Sequence, residues 1–268
     1  MITINGYPIG TKCYPNNERI LETSDILNLA FNIRKFTIEM KYTTDIDISM
    51  LSMIKRYIDD TIENPEVTLI MKYVPYSRMD RNIKGYMFSL KYFCKMINDL
   101  NFHKVMVLDA HSNVTTALLD RCVEIDVNQY IYKVLNNVHV DYIFYPDAGS
   151  MTRYSKTLKT GQLYFYGNKK RDLTNGQIIS YELVDCPENI RGKDILIIDD
   201  LCAKGFTFYN AGQKLKEKGV DKIYLYVSHC EDSIYKGELI KSGLMDKVFT
   251  TNSILTDWSS SLFCDISN

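Results

Sequence analysis

The sequence predicts an α/β protein built from two domains, each with a mostly parallel sheet flanked by helices. Three observations lead there. Short, nearly continuous apolar runs recur along the chain, amphipathic helical stripes separate them, and polar residues cluster where the runs end. Apolar runs of strand length suit parallel strands buried on both faces, and their alternation with helices is the pattern of βαβ units.

The predicted strands are Val67–Val74, Lys104–Leu108, Val140–Tyr145, Asp194–Ile198 and Lys222–Val227. The first helix is Ile48–Ile62, with Ile48, Leu51, Ile54, Ile58 and Ile62 on one face. The second is Tyr86–Leu100, whose stripe is Leu90, Phe93, Cys94, Ile97 and Leu100. A third, Thr207–Lys218, stops at Gly219, a residue suited to the left-handed turn that ends helices. A length of 268 residues accommodates two domains. The division falls near Glu124–Asn128, giving domains 1–125 and 126–268, because each half then supplies two site-bearing strands.

Composition narrows the function. A formal charge of −1 offers no broad electrostatic footprint for nucleic acid or an anionic membrane. An anionic ligand must therefore be held by a local cluster. The seven cysteines form no C-x-x-C pair, which argues against structural zinc, and their odd, scattered placement suits reduced thiols. The opening Met1-Ile2-Thr3-Ile4-Asn5-Gly6 lacks the pattern of a signal peptide, and no apolar run approaches a membrane span. A cytoplasmic protein is expected.

In parallel sheets ligands sit beyond the carboxyl ends of the strands. Four ends in succession carry polar groups there: Pro75-Tyr76-Ser77-Arg78-Met79-Asp80-Arg81, Asp109-Ala110-His111-Ser112, Pro146-Asp147-Ala148-Gly149, and Asp199-Asp200 followed by Leu201–Thr207. Adjacent side chains of an extended segment point to opposite faces, so one acid of the Asp199-Asp200 pair is free to face a ligand while the other supports the loop. Carboxylates accept hydrogen bonds from vicinal hydroxyls, which suits a ribose. The glycine-containing loop that follows opens a helix, where backbone N–H groups cradle phosphates. The alternative is a solvated turn after a core strand.

His111 and Asp147 are candidate ligands for Mg²⁺ on a polyphosphate, since Mg²⁺ takes few protein ligands plus phosphate oxygens. A lone His at a strand end is more often structural, and Pro-Asp-x-Gly is also ordinary turn chemistry. Arg78, Arg81 and the run Lys169-Lys170-Arg171 supply cations of the kind phosphoryl transfer needs, although a short basic run is usually a solvated loop. No Walker A motif, kinase glycine-rich loop or G-x-S-x-G elbow occurs.

In this order the motifs resemble those of the ribose-phosphate diphosphokinase (PRPP synthetase) family and, more broadly, the type I phosphoribosyltransferase fold. Tyr14-Pro15-Asn16-Asn17-Glu18 is similar to the family's N-terminal segment that reaches ATP on a neighbouring subunit. Pro75–Arg81 resembles its ATP segment, Asp109-Ala110-His111 its metal segment, Pro146–Gly149 its Pro-Asp-x-Gly, Lys169-Lys170-Arg171 its catalytic Lys-Arg-Arg, and Ile197-Ile198-Asp199-Asp200 its PRPP-binding strand end.

The resemblance implies two phosphoribosyltransferase-like domains and a reaction in which ATP gives its diphosphoryl group to the anomeric hydroxyl of ribose 5-phosphate. It implies that Lys169 and Arg171 are catalytic. ATP would be bound by Tyr14, Asn16, Glu18, Arg78, Asp80 and Arg81, and Mg²⁺ by His111 and Asp147. The ribose phosphate would be bound by Asp199, Asp200 and the loop Ala203, Lys204, Gly205, Phe206 and Thr207. It also implies self-association to a dimer or larger, with an ATP site shared between subunits.

The loop departs from the family's Asp-Thr-Ala-Gly-Thr: Ala203 removes an acceptor, Lys204 adds a cation and Phe206 replaces a small residue. Three readings stand: ribose 5-phosphate held by other contacts, a ribose whose 5-phosphate carries a further group such as ADP-ribose, or a non-catalytic homologue. A phosphoribosyltransferase that consumes PRPP is the other enzyme alternative, but it has no need of Tyr14–Glu18 and Arg78–Arg81.

Overall fold

The structure, a computed structural model, describes residues 1–24, 26, 33–171 and 178–267; for 169–171 and 178–180 it describes the backbone alone. Two compact units are present, Met1–Asp126 and Val127–Asn268.

In the first unit the strands are β1 (Ile2–Ile4), β2 (Tyr7–Pro8), β3 (Thr11–Cys13), β4 (Arg19–Leu21), β5 (Lys35–Met40), β6 (Glu66–Met71), β7 (Lys104–Leu108) and β8 (Cys122–Ile125). The described helices are α1 (Asp45–Thr61), α2 (Ser89–Asp99) and α3 (Asn113–Leu118). The sheet runs β2-β1-β5-β6-β7-β8. Its β5 to β8 half is parallel, while β1 is antiparallel to both neighbours. The hairpin β3–β4 forms a small sheet of its own. Leu51, Ile54 and Ile58 of α1 and Leu90, Phe93 and Ile97 of α2 close the core over Ile38, Leu69 and Val107.

The second unit contains α4 (Asn128–Asn137), β9 (Tyr142–Tyr145), α5 (Ala148–Tyr154), β10 (Leu163–Arg171), β11 (Ile178–Val184), β12 (Ile195–Cys202), α6 (Phe206–Glu217), β13 (Ile223–Cys230), α7 (Leu239–Ser242), β14 (Lys247–Thr250) and β15 (Phe263–Asp265). Its sheet runs β11-β10-β9-β12-β13-β14-β15, parallel except for β10–β11. Alternate residues of β12 serve two cores: Ile195 and Ile197 face one cluster, Leu196 and Ile198 the other. Burial on both faces is why this strand reads as an unbroken apolar run. The strand order reverses between β9 and β12, the switch point where open α/β sheets bind ligands.

Several boundaries differ from the sequence expectation. β6 stops at Met71, where its pairing with both β5 and β7 ends, so Lys72–Val74 already belong to the loop. β12 continues to Cys202 because β13 pairs with it through Cys202–Cys230; the acid pair therefore lies within the strand, not beyond it. α1 begins at Asp45, three residues earlier than expected, because the Asp47 carboxylate accepts the Thr43 and Thr44 N–H groups at 2.7 and 3.1 Å. α2 begins at Ser89, and Tyr86 instead forms a bridge with Ile83. The largest difference concerns Lys169-Lys170-Arg171, expected in a loop. They lie in β10, which pairs in parallel with β9 from Leu163 to Tyr166 and antiparallel with β11 from Tyr166 onward.

Candidate active site

In the first unit the ATP-side candidates sit on two exposed features. Tyr14, Asn16 and Glu18 occupy the tip of the β3–β4 hairpin, and all are exposed. The Tyr14 and Asn17 N–H groups donate to Glu18 O and Tyr14 O, and the Glu18 N–H to Asn16 Oδ1 at 3.2 Å, which folds the tip into a tight turn.

Arg78, Asp80 and Arg81 follow β6. Their loop turns at Tyr76, whose φ of +62° lies in the left-handed region that costs a non-glycine residue energy. A clasp holds it there. The Tyr76 hydroxyl donates to Asp45 Oδ1 at 2.5 Å, and the Tyr42 hydroxyl donates to the same oxygen at 2.9 Å. The Tyr76 ring also packs against Phe93, with centroids 5.8 Å apart. Hydrogen bonding to Asp45 raises the Tyr76 hydroxyl pKa, so it stays a donor. Arg78 and Arg81 are exposed, and Arg81 Nε lies 3.9 Å from Asp80 Oδ1.

At the end of β7, Asp109 is buried and has φ +42°, a second strained position. The Ala110 N–H beside it donates to Glu124 Oε1 at 3.1 Å, which ties the loop to β8. His111 is half-buried. Among the described residues the next hydroxyl, Ser112 Oγ, is buried without a hydrogen-bond partner, a polar atom that a bound oxygen ligand would satisfy.

The second unit gathers its candidates at the switch point. Asp147 follows β9 and caps α5: its Oδ1 accepts the Ser150 N–H at 2.9 Å. Asp199 and Asp200 lie on neighbouring β12, and the pair divides between the two faces. Asp200 is buried, with Oδ2 3.7 Å from Arg153 Nη1 on α5. Burial, then the Asp200 and Asp147 carboxylates, push Asp199's carboxyl pKa well above the usual range. Asp199, within β12, thus feels the charge of Asp200 beside it and of Asp147 after neighbouring β9, a repulsion that donors or a cation would relieve.

The loop beyond β12 is braced from behind. Gly205 has φ +78°, and a Cβ there would come within 2.8 Å of Leu239. Gly237 is tighter: a Cβ would lie 1.9 Å from Lys204 O, so only glycine lets the two backbones touch. Lys204 and Phe206 point outward, Phe206 with 61% of its surface exposed at the first turn of α6.

Lys169 and Arg171 stand on the β10–β11 ribbon, opposite Tyr181 and Ile178; their side chains lie outside the described residues. The ribbon is fastened by Tyr181, whose buried hydroxyl donates to Pro146 O at 3.0 Å. A Cβ on Gly167 would meet that hydroxyl at 2.2 Å and Pro146 O at 2.8 Å.

The chain as a whole is similar to known proteins. No family model matches the chain. It is 30% identical over 208 residues to the ribose-phosphate pyrophosphokinase of Sulfolobus acidocaldarius, covering 75% of this chain and 70% of that protein. The chain belongs to the ribose-phosphate pyrophosphokinase family. The protein of the same name from Sulfurisphaera tokodaii is 28% identical over 213 residues, covering 77% and 72% of the two chains. That of Vibrio cholerae is 25% identical over 198 residues, covering 70% and 61%. The solved phosphoribosylpyrophosphate synthetase of Mycobacterium smegmatis shares the fold, with a TM-score of 0.75 at 14% identity over 96% of this chain and 85% of that one. Membership of this family, its fold and the expectation of an enzyme of the ribose-phosphate diphosphokinase type are borne out. Among the described residues no helix is long and apolar enough to cross a membrane.

Of the ribose-phosphate pyrophosphokinase candidates, the structure brings Asp147, Asp199 and Asp200 together, and sets Lys169 and Arg171 on a ribbon fastened beside Asp147. His111 belongs to the first unit and Asp147 to the second. Among the described residues no group of three or more His, Cys, Asp or Glu is placed to hold a metal. The acids are nonetheless hard oxygen donors of the kind Mg²⁺ takes alongside substrate phosphates. Sequence reasoning missed Arg153, Tyr181, Gly167, Asp45, Glu124 and Gly237. Only Arg153 had a signal, as a cation two turns along the helix that Asp147 opens.

Proposed function

We propose that the chain transfers the β,γ-diphosphoryl group of ATP, as one unit, to the anomeric hydroxyl of a ribose phosphate. The hydroxyl oxygen bonds to the β-phosphorus. The bond from that phosphorus to the α–β bridging oxygen breaks, AMP departs with the bridge, and the hydroxyl proton is lost. The observation that carries this reading is the split acid pair on β12 beside Asp147, in a chain 30% identical to a named ribose-phosphate pyrophosphokinase.

Asp199 and Asp200 hold the ribose hydroxyls; Arg153 keeps Asp200 oriented. Lys169 and Arg171 offset charge on the transferring group, which is how proteins accelerate a reaction with little covalent chemistry of their own. Arg78, Asp80 and Arg81 take ATP. The exposed hairpin tip with Tyr14, Asn16 and Glu18 suits completion of that site by a second copy, which requires at least a dimer. His111 and Asp147 are the candidate ligands for Mg²⁺, which would neutralise phosphate charge when bound.

Ribose 5-phosphate is the first acceptor to consider. The exposed Phe206 beside Lys204 favours a second, ADP-ribose, whose base and diphosphate suit an aromatic face and a cation. Incubation with Mg²⁺-ATP and each sugar phosphate in turn tests both. AMP release with ribose 5-phosphate supports PRPP formation, release with ADP-ribose alone moves the acceptor, and no release with either overturns the enzyme reading.

A further inference from the structure

The ribbon that carries Lys169 and Arg171 has a fastening that the proposed chemistry does not itself use. β10 leaves its parallel partner β9 at Tyr166, and from there, among the described residues, its one ladder partner is β11. A two-stranded ribbon is marginal without a further contact. Leu183 packs against the core from β11, and Tyr181 adds a directed contact. The Tyr181 backbone faces Lys169 in the ladder. Its ring is buried in the same core cluster as Phe144 and Phe165, and its hydroxyl donates to Pro146 O, one residue before Asp147.

Gly167 completes the fit. It lies two residues before Lys169, and any side chain there would strike both the Tyr181 hydroxyl and the Pro146 carbonyl. The missing side chain at 167 and the large one at 181 are one feature: the space given up by the first holds the hydroxyl of the second. Burial, then the Asp147 and Asp199 charges, push the Tyr181 hydroxyl pKa upward, so it remains a donor at any working pH.

We propose that Tyr181 is a positioning residue that locks the ribbon bearing Lys169 and Arg171 to the Asp147 loop, so that cations and acid meet the diphosphoryl group in fixed register. The proposal rests on the phosphoryl-transfer reading for its kinetic consequence, but not for its structural one. A lock that sets geometry without touching substrate acts on turnover more than on binding, because misplacement of catalytic groups is felt chiefly in the transition state.

The test is Tyr181→Phe in the full chain, which keeps the ring and removes the hydrogen bond. Two measurements are made beside the wild type. In steady-state AMP release, kcat falls about tenfold while both KM values stay within about twofold, as expected for a displaced but intact site. In amide hydrogen exchange, residues 163–171 and the loop at 146–149 exchange faster, while β13 and β14 are unchanged. Unchanged exchange in the ribbon overturns the lock, as does an unaltered kcat. If the wild type itself releases no AMP, the phosphoryl-transfer reading falls and hydrogen exchange alone decides the lock. Gly167→Ala is the second variant: its Cβ displaces the Tyr181 hydroxyl, and it must reproduce the same exchange pattern or the proposal is wrong.

Discussion

The loop after β6 and the loop after β12 both carry charged groups from a strand end, yet they are built in opposite ways. The first reaches outward: its arginines are exposed, and it is held at its root by Tyr76 on Asp45. The second is held by close approach of its own main chain, with Gly237 against the Lys204 carbonyl and Gly205 against the Leu239 side chain. A side-chain clasp tolerates movement of the groups beyond it, whereas a glycine-to-carbonyl contact fixes the main chain. The difference suits the roles proposed for them, the first loop taking ATP, which must enter and leave, and the second holding the sugar phosphate with N–H groups that must stay in place.

Three substitutions strain that contrast. Gly237→Ala has the largest expected effect. The Cβ cannot coexist with Lys204 O, so the acceptor loop must shift, and kcat/KM for the sugar phosphate is expected to fall about a hundredfold, with KM for ATP unchanged. Steady-state kinetics with each substrate varied in turn check this; a loss shared equally by both substrates would contradict the division of labour. Tyr76→Phe removes one donor from Asp45 and leaves Tyr42. The expected result is a rise in KM for ATP of about threefold to tenfold, the range for the net loss of one ordinary hydrogen bond while Tyr42 keeps the carboxylate partnered, with the sugar phosphate KM unaffected.

Asp199→Asn has the smallest effect on its own readout, thermal stability. Asp199's folded pKa is raised, chiefly by burial. The folded state therefore binds the proton more tightly than the unfolded chain does, and stability falls as pH rises from the ordinary carboxylate value through the folded one. Asparagine never carries that charge. The variant is expected to melt roughly 2 °C above wild type at neutral pH, with the gain vanishing below the usual carboxylate range. A midpoint difference that is constant with pH would show that Asp199 is not strained by charge.

Much of this architecture was legible in the sequence because it rests on periodicity. Lys104–Leu108 is a strand with the predicted bounds, and Thr207–Lys218 is a helix to within one residue at each end. The acid pair was visible because two carboxylates after an apolar run are conspicuous. What was not legible depends on partners distant in the chain. Lys169-Lys170-Arg171 has the composition of a loop and becomes a strand only because Tyr181 and Ser180 lie across from it. Asp45 reads as an ordinary first-turn acid until Tyr76, 31 residues away, donates to it. Glu124 shows no role until its carboxylate meets the Ala110 N–H.

The double allegiance of β10 constrains how this chain can change. Its first residues are registered against β9 and its last against β11, and the ladder with β11 already shifts register between Lys170 and Arg171. A single residue gained between Tyr166 and Lys169 would put the later positions out of phase with β11 unless a bulge took it up, whereas two would keep the alternation. Length changes among descendants of this sequence are therefore expected at the existing bulge sooner than in the regular ladder before it.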